Sequence, residues 1–305
     1  MSTDFLFKFM NVFKNIKSSF RRSTSLTKLL SINIGIFILY QLVLIVLKLF
    51  NLQGLFLAEY LALPSSLMQV ATHFWTLVTY MFFHAGFLHI FFNMLCLYWF
   101  GKIFLMYFSE KQLVGLYLMG GWMAAFFYIF SFNIFPYFKS VVNSSILLGA
   151  SGSIMAIIVA AAVASPNLEI RVLLLGNIKL KYIAIVAVLT SFFGIASNNA
   201  GGEIAHLGGA LCGYLFVVSL HKGKDMTKWL NNILDNIVNL FSWKPAKKRK
   251  KIYYTERKMT DEEFNIEKTR RMKEIDRILD KIKESGYDSL TKEEKKTLFD
   301  QSNKF

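Results

Sequence analysis

Gly149-Ala150-Ser151-Gly152-Ser153-Ile154-Met155-Ala156-Ile157-Ile158-Val159-Ala160-Ala161-Ala162-Val163-Ala164 is the stretch whose reading decides the fold. After Ser153 it holds no polar group, and alanine makes it thin on every side. A helix apolar all round is buried, and one with so little bulk belongs at the centre of a bundle. The chain supplies the surrounding helices. Apolar runs near 29–49, 87–107, 112–132, 149–165, 181–196 and 204–221 predict six membrane spans, because about 20 apolar residues cross the hydrocarbon and shorter runs need neighbours to shield them.

Composition points the same way. With 54% hydrophobic and 16% aromatic residues, a chain of 305 has too little polar surface for one water-soluble core. The formal charge of +15 would suit a nucleic-acid partner, but its placement does not. Residues 252–305 hold 13 basic and 13 acidic side chains, so the excess lies in residues 1–251, mostly beside the apolar runs. That is a topology signal and no basic groove. Cys96 and Cys212 fall in apolar runs without zinc-ligand spacing, so they read as small buried hydrophobes.

The connection 51–86 contains no Lys or Arg, 195–205 contains none, and 133–148 has only Lys139. The opposite side carries six basic residues before the first span, then Lys111, Arg171, Lys179 and a Lys-rich tail. Both termini are therefore expected in the cytoplasm. The long connection 51–86, rich in aromatic side chains, is expected to lie partly in the membrane against the bundle.

Four regions follow. Residues 1–28 form a basic amphipathic segment, with Phe5, Phe9, Phe13, Ile16 and Phe20 near helical spacing among lysines, suited to an anionic lipid surface. Residues 29–221 hold the six spans. Residues 222–251 combine an interfacial helix, marked by Trp229, Leu230, Ile233, Leu234, Ile237, Val238 and Phe241, with the run Lys247, Lys248, Arg249, Lys250, Lys251, which favours anionic headgroups. Residues 252–305 form a small helical cytosolic tail. In it Thr260 with Glu263 and Thr291 with Glu294 fit capping boxes, Ser285-Gly286 supplies a stop, and Ile275, Leu279 and Ile282 give an apolar stripe.

Polar residues inside apolar spans are costly and mark function. Ser151 sits between glycines that allow close approach of another backbone, in the first turn of a helix whose positive end suits an oxyanion. His206 lies near the start of the sixth span, and Gly209 and Gly213 form a small face that brings this helix close to a neighbour. A neutral imidazole in reach of a hydroxyl is the minimum needed to activate serine. His89 and Asn93, at i and i+4, share one face of the second span about 6 Å apart along the axis. Asn is a poor ligand for zinc or iron, so the pair suits hydrogen-bond donation to an oxyanion better than a metal. Spans two, four and six all run inward from the outer side, so all four residues share one depth. Asn143, Ser144, Ser145, Asn198 and Asn199 gather on that side and would wet a cavity there. Glu203, three residues before His206, is near enough to orient it, but at the exposed entry to the helix it reads as a solvated residue.

Together these residues resemble the rhomboid family of intramembrane serine proteases. Gly149-Ala150-Ser151-Gly152 looks like its GxSG motif, Ala205-His206 with Gly209 and Gly213 resembles its last catalytic helix, and His84, His89 and Asn93 are similar to its HxxxxHxxxN segment. The resemblance spans roughly residues 70–220. It implies an all-α membrane protein with a six-transmembrane-helix rhomboid bundle, and a Ser/His dyad that cleaves transmembrane substrates without a cofactor or metal. In it Ser151 is the nucleophile, His206 the base, and His89, Asn93 and the Ser151 amide the oxyanion hole. The expected location is the bacterial cytoplasmic membrane.

Three positions depart from the family pattern. Thr76 follows Trp75 where Arg is common, Met155 replaces an aromatic residue that packs on the catalytic histidine, and Met106 stands where glutamate is common. Two rival readings stand beside the protease. One is a catalytically inactive rhomboid-like protein that binds membrane clients. The other is a transporter, which the lack of an inverted repeat and of a buried coupling carboxylate disfavours.

Overall fold

A computed structural model describes residues 23–52, 57–172, 176–241, 261–291, 293–296 and 298. The expected amphipathic helix at 5–20, the run 247–251 and the cap at Thr260 lie outside these residues. Contacts divide the chain into two compact units, Met1–Trp243 and Lys244–Phe305.

In the first unit, helix α1 spans Ser25–Leu49, with Thr24 capping it by accepting from Thr27 N–H. The following connection is built from short pieces: α2 (Leu57–Leu61), β1 (Leu63–Pro64), α3 (Leu67–Thr72), α4 (Thr76–Thr79) and a 3₁₀ turn at Tyr80–Phe82. Helix α5 (Phe87–Phe104) and α6 (Glu110–Ile134) follow, the latter opened by a reciprocal Ser109/Gln112 capping box. Strand β2 (Ile146–Leu147) leads into α7 (Ser151–Ala164). A hairpin of β3 (Glu169–Val172) and β4 (Gly176–Lys179) precedes α8 (Leu180–Gly194), then α9 (Ala200–His221) and α10 (Lys228–Phe241).

Six apolar helices thus stand where the six runs predict them. Four of them, α1, α5, α6 and α9, are long and apolar enough to cross a membrane. The runs at 149–165 and 181–196 give shorter helices of 14 and 15 residues. The sequence itself trims the first of these. Gly149 has φ +125°, which ends helical geometry before Ser151, and Ser165 precedes Pro166, whose ring disfavours a helical predecessor.

Helix α7 is central, as its alanines imply: every residue from Gly152 to Ala162 is buried, against α9, α6, α5 and α8. The tightest contact is with α9. A Cβ added at Gly209 or Gly213 would collide with the carbonyl oxygens of Gly152 and Ala156, so two backbones meet along a pair of i, i+4 positions on each helix. By contrast α1 is peripheral, with only Leu26, Leu29 and Asn33 buried. It is held at two points. Ser25 donates from both N–H and hydroxyl to Glu110, each at 2.9 Å. Deeper, Asn33 Nδ2 donates to Tyr117 Oη (3.2 Å), and Tyr117 donates to the Met81 carbonyl (3.0 Å), which satisfies polar groups that burial would otherwise leave costly.

Residues 59–86 of the connection pack on the bundle rather than hanging in solvent. Ala62, Leu63, Ser65, Thr76, Tyr80 and Met81 are all buried. Strand β1 pairs antiparallel with β2, Leu63 opposite Leu147, and Ser65 Oγ donates to Val142 O at 2.6 Å. Where Thr76 departs from the family's arginine, the loop is anchored by other bonds. Thr76 Oγ1 donates to His73 O (2.6 Å), Trp75 Nε1 to Tyr60 O (2.8 Å) and Thr79 Oγ1 to Leu61 O (2.7 Å). Met106, between α5 and α6, is exposed. Helix α10 lies against α6, where Trp229 stacks on Trp122 at 6.2 Å and Lys111 pairs with Asp235.

In the second unit, helix α11 (Asp261–Ser285) stops at Gly286, which takes φ +77°. The capping box at Thr291 is present in both directions: Thr291 N–H donates to Glu294 (2.8 Å) and Glu294 N–H to Thr291 Oγ1 (3.3 Å). The predicted stripe is corrected at one position. Ile278 is buried, with Ile275 and Ile282 half-buried, while Leu279 is 48% exposed. Ile275, Ile278 and Ile282 follow i, i+3, i+7, which keeps one narrow face, and Leu279 falls beside it.

Candidate functional site

Three helices deliver the polar residues to one place. Helix α7 starts at Ser151, so its first N–H groups have no partner in the preceding turn and face outward from the helix end. Gly149 makes that start possible. Its N–H donates to Tyr80 O at 2.9 Å, tying the strand before α7 to the 51–86 connection. A Cβ on Gly149 would lie 2.9 Å from His89 Nε2, so the His89 ring rests against the chain two residues before Ser151.

His89 and Asn93 sit in the first two turns of α5 on the same face. Asn93 is buried, and its Nδ2 donates to the His89 carbonyl at 2.9 Å, which fixes the amide and leaves its second N–H available. His84, before this helix, is buried edge-on to His89 with ring centroids 5.1 Å apart.

His206 is in the second turn of α9, whose glycines bring it against α7. Its Nδ1 lies 3.1 Å from Ser191 Oγ on α8 and 3.2 Å from Glu203 Oε2. Its side chain is 20% exposed.

All four predicted residues, Ser151, His206, His89 and Asn93, line a single cavity of about 820 Å³. Ser145, Asn198 and Asn199 also line it, as expected of a wetted cavity, whereas Asn143 and Ser144 are not among its walls. Met155 also lines it and packs with Val159 and Ala210, so a flexible thioether forms part of the wall. Cys96 lies at the wall, half-buried, while Cys212 is buried as predicted.

Two residues alter the sequence-based picture. Glu203 is not solvated: its side chain is 19% exposed and turned onto His206. Ser191, 2% exposed, was not singled out. The rule that a polar group in an apolar run marks function would have found it, but serine so often bonds to its own helix that the signal is faint.

Comparison with known proteins adds to this geometry. A search of curated proteins gives no significant match. Residues 258–304 match a family of unknown function, DUF6576. Residues 71–223, half of the chain and the part that holds the whole cavity-lining set of polar residues, match the family described as Rhomboid domain, and the chain belongs to the rhomboid family.

Proposed function

We propose that this protein is an intramembrane serine endopeptidase that cuts peptide bonds in, or just outside, the transmembrane segments of single-pass proteins. The observation that carries the reading is the convergence of Ser151, His206, His89 and Asn93, from the first two turns of three helices, on one cavity. The helices α1, α5, α6, α7, α8 and α9 would form six spans with both termini cytoplasmic, in a bacterial cytoplasmic membrane. The basic runs at either end would bind anionic headgroups.

In this reading Ser151 Oγ attacks the scissile carbonyl carbon as His206 Nε2 takes its proton. The charge that collects on the carbonyl oxygen meets donors from His89, the free N–H of Asn93 and the Ser151 amide. Collapse of the tetrahedral adduct breaks the C–N bond, and His206 returns the proton to the leaving amine. Water then attacks the acyl-enzyme with His206 again as base, releasing the carboxylate and the Ser151 hydroxyl. No cofactor is needed. At 14 residues α7 rises only about 21 Å, against roughly 30 Å of hydrocarbon, so Ser151 would lie recessed from the outer surface and reach substrate within the membrane.

The test is cleavage of a model single-pass substrate in liposomes, with fluorophosphonate labelling of the enzyme. Both are expected for the parent and lost in Ser151→Ala. Cleavage that survives Ser151→Ala would sink the assignment, and a parent that binds substrate but neither cuts nor labels would be a client-binding protein instead.

A further inference from the structure

We infer that Glu203 is a positioning residue for His206, extending the Ser151–His206 pair to a triad with Ser191 as its brace. The inference rests on the reading of Ser151 and His206 as nucleophile and base.

Helix α9 presents Glu203 and His206 at i and i+3, on one face. Helix α8 presents Ser191 and Gly194 with the same spacing, facing them. Gly194 leaves the room that Glu203 occupies: a Cβ there would sit 2.8 Å from Glu203 Cγ and 2.9 Å from Cδ. The carboxylate is thereby laid along α8 with Oε2 3.2 Å from His206 Nδ1, and Ser191 Oγ stands 3.1 Å from the same nitrogen. This is a built contact, with Glu203 and His206 half-buried on one helix and Ser191 buried on the other, unlike an ion pair at a surface.

Its chemical consequence follows from donor and acceptor roles. A carboxylate only accepts, so the Nδ1 that faces it carries the proton. In the neutral ring the lone pair is then on Nε2, the nitrogen that must take the Ser151 proton. When Nε2 gains that proton, the imidazolium forms beside a carboxylate, which favours it more than water-depleted surroundings alone would. Ser191 fixes the ring plane from the second helix. No proton moves to Glu203 at any step.

The experiment measures kcat and KM of the full-length protein in liposomes for the parent and for Ser151→Ala, Glu203→Ala and Glu203→Gln, with the thermal midpoint of each. Glu203→Ala is expected to lower kcat roughly 100-fold with KM within about twofold. Glu203→Gln, whose amide oxygen still accepts from Nδ1–H, should recover part of that loss. A Glu203→Ala enzyme with kcat within about twofold of the parent, while Ser151→Ala is inactive, would overturn the positioning role and leave the Ser/His reading intact. Equal loss in the Ala and Gln variants together with a raised KM or a lowered midpoint would overturn it too, since Glu203 would then serve packing only. Cleavage by Ser151→Ala would remove the reading on which the inference rests.

Discussion

Asn93 has two amide hydrogens and has committed one of them to the His89 carbonyl. On the proposed reading the other serves an oxyanion, so truncation would remove a donor that the substrate's ground-state carbonyl barely uses. Asn93→Ala should therefore lower kcat by roughly 100- to 1,000-fold with little change in KM, as measured on the liposome substrate. The residues of this site were legible to different degrees, for physical reasons. Ser151, His89, Asn93 and His206 stood out because a polar group in an apolar span needs a justification. Glu203 reads from sequence as solvated, because a residue at a helix start faces either water or a neighbour, and only the placement of Gly194 on α8 decides which. Sequence gives the i, i+3 spacing of Glu203 and His206 but not the direction of that face.

At the scale of elements, the site depends on how closely α9 can approach α7. Gly209 and Gly213 lie on the Gly152 and Ala156 carbonyls, leaving no room for a methyl group. Gly209→Ala must push α9 away and carry His206 from Ser151. The expected result is a loss of activity together with destabilisation of about 1–3 kcal/mol, the usual cost of overpacking. Gly35→Ala on α1, where nothing lies within 4 Å, serves as the control and should match the parent in thermal unfolding and cleavage. Helix positions were readable from apolar runs, and the ends of α7 from Gly149 and Ser165-Pro166. The pairing of β1 with β2 was not, since two-residue strands carry no periodicity and their partners are far apart in sequence.

The whole molecule is two compact units, and they should respond to acid differently. In the tail, the Thr291 N–H and then the Lys281 ammonium hold the Glu294 carboxyl down to about 2, from an ordinary 4.5. A carboxyl depressed on folding contributes stability that is present above its unfolded value and fades as pH falls through the folded one. Protection of the amides around Thr291–Lys296 from hydrogen exchange should thus hold above about pH 4.5 and disappear toward pH 2. Glu294→Ala, which can neither accept from the Thr291 N–H nor pair with Lys281, should already lack it at neutral pH. The capping box at Thr291 was legible in the tail, since that signal is local. The tail's buried face was misjudged at Leu279, because one helical turn offers two neighbouring positions and only packing chooses between them.

The close approach of α9, α7 and α5 has an inherited cost as well. Gly149, Gly152, Gly209 and Gly213 all face atoms that an added Cβ would strike, and Gly149 also holds a left-handed backbone. Every missense change in a glycine codon brings at least a Cβ. These four positions therefore have no harmless replacement, although none of their side chains takes part in chemistry. If the protein is the protease proposed, random mutation would silence this gene through its smallest residues as readily as through Ser151 or His206.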